Sequence, residues 1–346
     1  MKKMLRQVCG IDVAQKELVV SLGRMSADLD TEVYAGKTFP NTEKGFSALL
    51  NWVMKLTVAD TQISYVMEAT GVYHEKLAYF LHRQGKTLSI VLPNKISNYF
   101  RTLEVKTITD KTASEAITRF GLERNLECWK PANPVFKRLR QLVRERDQVV
   151  QARTVAKNQL HAEQSEAEPN KSSVIRVKKQ IGLLDKQEQE IKEEIAVLVN
   201  QNETIKQKVK LVSSIPGVGT LTAVTVLAET NGFDLIRSKK QLTAYAGLDV
   251  REKQSGTSVK GKPRISKRGN RFLRKSMYLP ALSLIRHDER AKAVFARLVA
   301  RHGVKMKAAV AVQRKLLELI YIIYKTGKQY DSNYLQKTRE QHCVTP

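Results

Sequence analysis

Hydrophobic periodicity changes kind at Trp129-Lys130-Pro131, so one structural layer cannot serve the whole chain. Upstream, apolar residues come in short β-rich runs alternating with helical patterns. Downstream, Val177, Leu184, Ile191, Leu198 and Ile205 recur every seven residues, and Ile181, Ile195 and Val209 fill most intermediate positions. A heptad stripe of this kind must lie against another helix. Glu188 and Asn202 are its polar interruptions. The preceding helical stretch, 133–163, carries Leu139, Leu142, Val149, Ala156 and Leu160, with Arg146 and Arg153 in the seam between them. Arginines in a seam imply polar partners or imperfect pairing. Two arrangements stay open: helices folded back within one chain, or pairing between chains.

Residues 8–22, VCGIDVAQKELVVSL, contain two strand-like runs around a polar turn, and 34–39, YAGKTF, offer a third strand. A helical pattern over 42–56, with Phe46, Leu49, Leu50 and Val53 on one face, precedes strands at 63–69 and 88–93. Further helices extend the alternating α/β pattern to about residue 122. This order resembles the ribonuclease-H-like fold. Beyond Ser214, IPGVGTLTAVTVLAE has the form of a helix end, a Gly-Val-Gly turn and a new helix, the pattern of helix-hairpin-helix modules. Amphipathic helices are expected at about 270–285, 290–302 and 305–325.

The chain has 346 residues, of which 42% are hydrophobic, enough to bury more than one core. Its net charge of +26 draws polyanions, so nucleic acid is the expected partner and an anionic membrane surface the weaker one. No apolar run approaches the length of a spanning helix, and the basic start MKKMLRQ leads into Cys9, Gly10 and Asp12 with no signal-like stretch. A cytoplasmic location is expected. Cys9, Cys128 and Cys343 lie far apart and support neither a disulfide framework nor a zinc site.

Charge concentrates over Lys253–Lys275, where nine Lys or Arg occur with no acid and three serines lie among them. Gly-Pro-Gly punctuation and the apolar Ile265, Phe272 and Leu273 would seat this segment on a fold. Lys260, Lys262, Arg264, Lys267, Arg268, Arg271 and Arg274 are its candidate phosphate contacts, joined by Lys106, Arg140 and Arg144 elsewhere. Ser255 is followed by a glycine that permits close backbone approach, and nearby cations would stabilise a transferring phosphate. Ser266 is the runner-up, though its place ahead of a helix suits capping. Asp12 in the first strand and Glu68 at the end of a neighbouring one are poor strand residues that ask for a function. Asp110 opens the next helix, where capping is the ordinary alternative. Clustered oxygen ligands without His or Cys favour Mg²⁺ or Mn²⁺.

GIDVAQKE, VMEATGVY, TDKTASEAITRFG, IPGVGTLTAVTVLAE, LTAYAGLDV and QSGTSVKGKPRISKRGNRFLRKSMY, in that order, resemble the DEDD insertion-sequence transposases, understood as bridge-RNA-guided recombinases and related to the Piv/MooV DNA invertases. The resemblance covers about residues 8–300. It implies a RuvC-like domain over 1–130, a coiled-coil linker over 131–210, and an α-rich transposase domain over 211–328, followed by a flexible tail at 329–346. It also implies Asp12, Glu68 and Asp110 as catalytic, metal-bound acids and Ser255 as a nucleophile forming a 5′-phosphoserine, in a composite site contributed by different protomers. The implied partners are donor and target DNA, a structured noncoding guide RNA and further copies of the chain, as dimer or tetramer. One position departs from the pattern: the fourth acid, three residues after Asp110, is Ala113. Two other functions compete, a RuvC-like nuclease without a covalent step and a non-catalytic nucleic-acid-binding protein.

Overall fold

Three ten-residue strands open the chain as a meander: β1 (Met4–Val13), β2 (Glu17–Ser26) and β3 (Thr31–Pro40). The computed structural model describes residues 4–332 except Thr70, Glu104, Lys106, Ile108, Leu235, Lys253, Thr257 and Lys262. It divides into two compact units, Met1–Pro131 and Ala132–Pro346. In the first, α1 (Glu43–Leu56) leads to β4 (Ile63–Glu68), α2 (Glu75–Arg83), β5 (Thr87–Val91), α3 (Pro93–Phe100) and α4 (Asp110–Glu123). Sheet order is β3-β2-β1-β4-β5, with the meander antiparallel and β1, β4 and β5 mutually parallel. This is the mixed sheet the sequence order implies. The third strand is longer than the YAGKTF motif because it pairs with β2 from Thr31 to Pro40.

Alternation along the central strands sends side chains to two apolar layers. Cys9, Ile11 and Val13 of β1 join Leu18, Val20 and Leu22 of β2 beneath Phe46, Leu49, Leu77 and Leu81 of α1 and α2. Val8 and Val66 instead meet Ile96 of α3 and Ile117 and Leu122 of α4. Burial on both faces is why β1 and β4 contain so few polar residues.

The second unit begins with α5 (Pro134–Gln164) and α6 (Lys171–Asn200), followed by α7 (Glu203–Val212), α8 (Thr220–Glu229) and α9 (Lys239–Tyr245). Four two-residue strands follow: β6 (Val250–Arg251), β7 (Gln254–Ser255), β8 (Val259–Lys260) and β9 (Arg264–Ile265). Helices α10 (Arg271–Ser276), α11 (Tyr278–His287), α12 (Glu289–His302) and α13 (Lys305–Thr326) complete it. The predicted helix at 270–285 is thus two helices, which meet at Met277. Pro280 in the first turn of α11 has no N–H to donate backwards, which suits a restart there.

Helices α5 and α6 pair within the chain, and the seam arginines find their partners there. Arg146 donates to Glu188 at 2.7 Å, Arg153 bridges Glu188 and Asp185, and Lys192 adds a 3.0 Å contact to the same carboxylate. Glu188 is therefore a matched polar layer. Asn202 has a different role: it caps α7, accepting from Ile205 N at 3.1 Å, so the heptad run is broken into two helices at that point. Phe136, Leu139, Leu142 and Val143 of α5 and Ile191, Ile195 and Val199 of α6 share one core with α7, α8, α11 and α13. Between α7 and α8 the chain turns at Gly217, whose φ of +84° and 2.8 Å clearance from Pro280 O at the Cβ position exclude other residues.

The expected flexible tail, 329–346, falls only in part on the described residues. Tyr330 N donates to Ser214 Oγ at 3.0 Å and its phenol donates to Asp288, which anchors the chain as far as that residue. The remainder, 333–346, lies outside the described residues. Among the described residues no helix is long and apolar enough to cross a membrane.

Candidate active site

Asp12 and Glu68 stand at the same end of neighbouring parallel strands. Pairing of β1 with β4 runs from Gln7 opposite Ile63 to Ile11 opposite Met67, and each acid is the next residue. Ile11 enters the layer under α1 and α2, so Asp12 belongs to the opposite face, with Val8 and Gly10. That face is covered by α4, antiparallel to β1. Gly121 lies over Val8 and Val66, and Ser114 and Thr118 lie over Gly10, so a further turn back brings Asp110 toward Asp12. Hydroxyls hold the helix down: Thr118 Oγ1 donates to Ser21 O at 3.1 Å, and Ser21 and Ser114 share a buried 2.7 Å hydrogen bond.

Asp110 does not cap α4. Thr109 does, accepting from Thr112 N at 3.2 Å while its own N–H donates to Thr112 Oγ1 at 2.8 Å. Asp110 is left in the first turn, where the helix dipole favours a carboxylate. Burial, then the charges of Asp110 and Glu68, push the Asp12 carboxyl up to about 6, against a smaller opposing effect of a backbone hydrogen bond at Val13. Two acids whose charges oppose that of a third are the electrostatic condition a hard divalent cation relieves, and all the donors are oxygens. They do not form a closed cage: among the described residues no group of three or more His, Cys, Asp or Glu is close enough to hold a metal ion. Nor does Glu123 replace the missing acid at Ala113. It accepts from Tyr99 Oη at 2.7 Å, and it lies thirteen residues, about 20 Å, along α4 from Asp110. Glu115 is about 140° round the helix from Asp110, the wrong side for a common ligand.

Ser255 lies in the other unit, on a two-stranded arm. β6 pairs with β9 at its base, Val250 opposite Ile265, and β7 pairs with β8 further out, Ser255 opposite Val259. Ser255 is exposed, and Gly256 turns the chain beyond it with φ +54° and open space around its Cβ position. Below the arm, Ser266 N donates to Asp249 O at 2.8 Å, Lys267 N to Gly247 O at 3.1 Å and Asn270 N to Tyr245 O at 2.7 Å. Ser266 does not cap α10 as its position suggested: its hydroxyl donates to the Asp249 carboxylate. Asn270 Oδ1 caps that helix, accepting from Phe272 N and Leu273 N at 3.0 Å each.

Residues 9–164 match the DEDD IS110 transposase family and residues 209–296 match the Transposase IS116/IS110/IS902 family, together more than half of the chain. This chain is an IS110-family transposase. It is 28% identical over 303 residues to the pilin gene-inverting protein of Moraxella bovis, covering 85% of this chain and 90% of that one. The corresponding protein of Moraxella lacunata is 26% identical over 337 residues, covering 95% and 98%. Among solved structures, Thermus thermophilus RuvC matches at 9% identity and a TM-score of 0.27, covering 36% of this chain and 99% of that one. The transposase is a DNA recombination enzyme of a family that depends on a divalent metal.

Its basic residues divide into two groups. Arg264, Lys267, Arg268 and Arg271 are exposed along the serine segment, and Arg140 is half-buried on α5. Arg144 was expected to contact a backbone phosphate, but its guanidinium makes two 2.7 Å bonds to the buried Glu229, which raises its pKa further, and lies 4.7 Å from the Phe272 ring centre. Arg274 is likewise engaged, donating to Ala246 O at 2.9 Å. Lys106 and Lys262, and the side chain of Lys260, lie outside the described residues.

Glu229 and Asn270 are the residues that sequence reading missed in the transposase. The one available signal was an acid closing the otherwise uncharged helix TLTAVTVLAE, at the end where the dipole disfavours it.

Proposed function

We propose that the transposase cuts and rejoins DNA through a covalent phosphoserine at Ser255, with Asp12, Glu68 and Asp110 holding Mg²⁺ or Mn²⁺. The observation that carries this reading is that parallel pairing sets Asp12 level with Glu68 while the close seat of α4 on Gly10 brings Asp110 toward the same strand end, where both charges oppose that of Asp12. The cation would supply charge stabilisation at the transferring phosphoryl group. Ser255 Oγ gives up its proton and attacks phosphorus, the Oγ–P bond forms as the bond from phosphorus to the 3′ oxygen breaks, and that oxygen takes up a proton to leave as a 3′-hydroxyl. Rejoining reverses the step: a 3′-hydroxyl attacks the phosphoserine, its proton is lost, and the serine hydroxyl is restored. Exposed Arg264, Lys267, Arg268 and Arg271 would hold the strand and offset charge on the phosphate.

The transposase acts as a homo-oligomer, dimer or tetramer, on donor and target DNA, and a structured noncoding RNA selects those sites. The net charge of +26 supports binding of both nucleic acids. Incubating the full chain with Mg²⁺, RNA transcribed from the flanks of its gene and 3′-labelled DNA of the same ends should give a labelled protein–DNA adduct that maps to Ser255. Ser255→Ala should abolish it while nucleic-acid binding is kept. Metal-dependent cleavage with no adduct and full activity of Ser255→Ala would replace this reading by a hydrolytic nuclease. Adducts lost only in Ser266→Ala would move the nucleophile to the hydroxyl beside Asp249.

A further inference from the structure

Glu229 is a carboxylate with no accessible side-chain surface at the C-terminal end of an apolar helix, where burial and the dipole both oppose its charge. Its contacts are nearly complete. Arg144 Nε and Nη2 each donate to it at 2.7 Å, Asn270 Nδ2 donates at 2.6 Å, and Tyr245 Oη donates to its main-chain carbonyl at 2.9 Å. Apolar residues of similar volume would pack here at little cost, so the charged arrangement asks for a purpose beyond stability.

The partners indicate one. Asn270 stands where the serine arm returns to the helical body. Its Oδ1 caps α10, its N–H donates to Tyr245 O, and its side-chain amide reaches Glu229. Gly269, at φ +135°, leaves no room for a side chain because its Cβ position lies 2.9 Å from Ala244 O and 3.0 Å from Gly247 N. Tyr245 closes α9, with residues 246–249 between it and the strand that starts the arm. Glu229 therefore grips both ends of the segment that carries Ser255, Tyr245 before it and Asn270 after it, and ties them to α5 through Arg144.

We infer that Glu229 is a positioning residue, which fixes the base of the Ser255 arm to the helices of its own unit. This rests on the assignment of Ser255 as nucleophile. It follows that the arm, built of four two-residue strands above a base closed by main-chain bonds between 245–249 and 266–270, has its direction set by the buried charge cluster beneath that base.

Two variants of the full chain separate positioning from folding. Asn270→Ser keeps a good N-cap and removes only the amide that reaches Glu229. Arg144→Met/Glu229→Leu replaces the ion pair with apolar groups of similar size. Each should keep the wild-type circular dichroism and cooperative melting, yet show faster amide hydrogen exchange across 246–270. Each should also form the serine adduct more slowly, on the order of a hundredfold for a displaced nucleophile. Unchanged exchange in this segment in both well-folded variants would overturn the inference, as would wild-type adduct rates in both. Should the wild type form no Ser255 adduct, the nucleophile assignment fails, and the exchange measurement alone decides whether Glu229 anchors the arm.

Discussion

Gly10 lies directly against Thr118: a Cβ on the glycine would overlap the threonine hydroxyl, stand 2.5 Å from Thr118 N and lie 2.7 Å from Ser114 O. This close approach seats α4 on β1, and through it Asp110 reaches the neighbourhood of Asp12.

The first prediction follows from that seat. Gly10→Ala should lift α4 from the sheet, costing roughly 1–3 kcal/mol as overpacking and lowering strand cleavage on the order of a hundredfold. Denaturant unfolding and single-turnover cleavage would measure the two effects. A variant with wild-type stability and rate would show that the helix can shift without disturbing the acids.

Asp12 gives the second. Its carboxyl is raised to about 6 from 3.8, so in the folded protein its charge is unfavourable at neutral pH and is relieved by protonation. Without metal, stability should rise as pH falls through about 6 toward 3.8, the reverse of an aspartate held charged by an ion pair. Asp12→Asn should abolish cleavage yet stabilise the metal-free protein at pH 7 by on the order of 1 kcal/mol, allowing for partial solvent screening. Melting temperatures over pH 4–8 would check both signs, and a less stable Asp12→Asn at pH 7 would contradict them.

A third prediction concerns the cation. Mg²⁺ or Mn²⁺ should raise the melting temperature of the wild type and leave that of Asp12→Asn unchanged, since a bound ion stabilises only the state that binds it. Ala113→Asp adds a carboxylate one helical turn beyond Asp110 and should lower the metal concentration needed for half-maximal cleavage. Equal metal dependence in the two proteins would mean that another group already fills the place.

The helical pair supplies the fourth. Burial opposes the charge of Glu188, but hydrogen bonds from Lys192, Arg146 and Arg153 outweigh it and hold the carboxyl down at about 2. Its contribution is present above 4.5 and should be lost as pH falls toward 2. Glu188→Gln should cost roughly 2–4 kcal/mol, because the arginines of α5 lose their counter-charge, and should flatten the acid end of the stability profile. Helical circular dichroism followed from pH 5 to 2 would record both.

Much of the first unit was legible because its signals are local. Strand alternation, the turn after Val13 and the helical faces of α1 and α4 all follow from residues a few positions apart. Asp12 and Glu68 stood out as acids in apolar strands, and parallel pairing brings them level. Asp110 could not be separated from a capping residue by type or position. Thr109 makes that cap instead, a distinction that depends on backbone dihedrals. The seam arginines posed a question whose answer, Glu188, sits 42 and 35 residues further along.

Sequence alone determined the order of elements, the heptad stripe, the acid-free basic segment and the family motifs, since each is a pattern of residue type and short spacing. Tertiary structure decided which charges face solvent and which are used inside. Arg144 and Arg268 look alike in the sequence, but Arg144 meets Glu229 from 85 residues away while Arg268 remains exposed. Asn270 meets the same carboxylate across 41 residues. Such pairings follow from how whole helices pack, because a buried charge is tolerated only where folding delivers its partners.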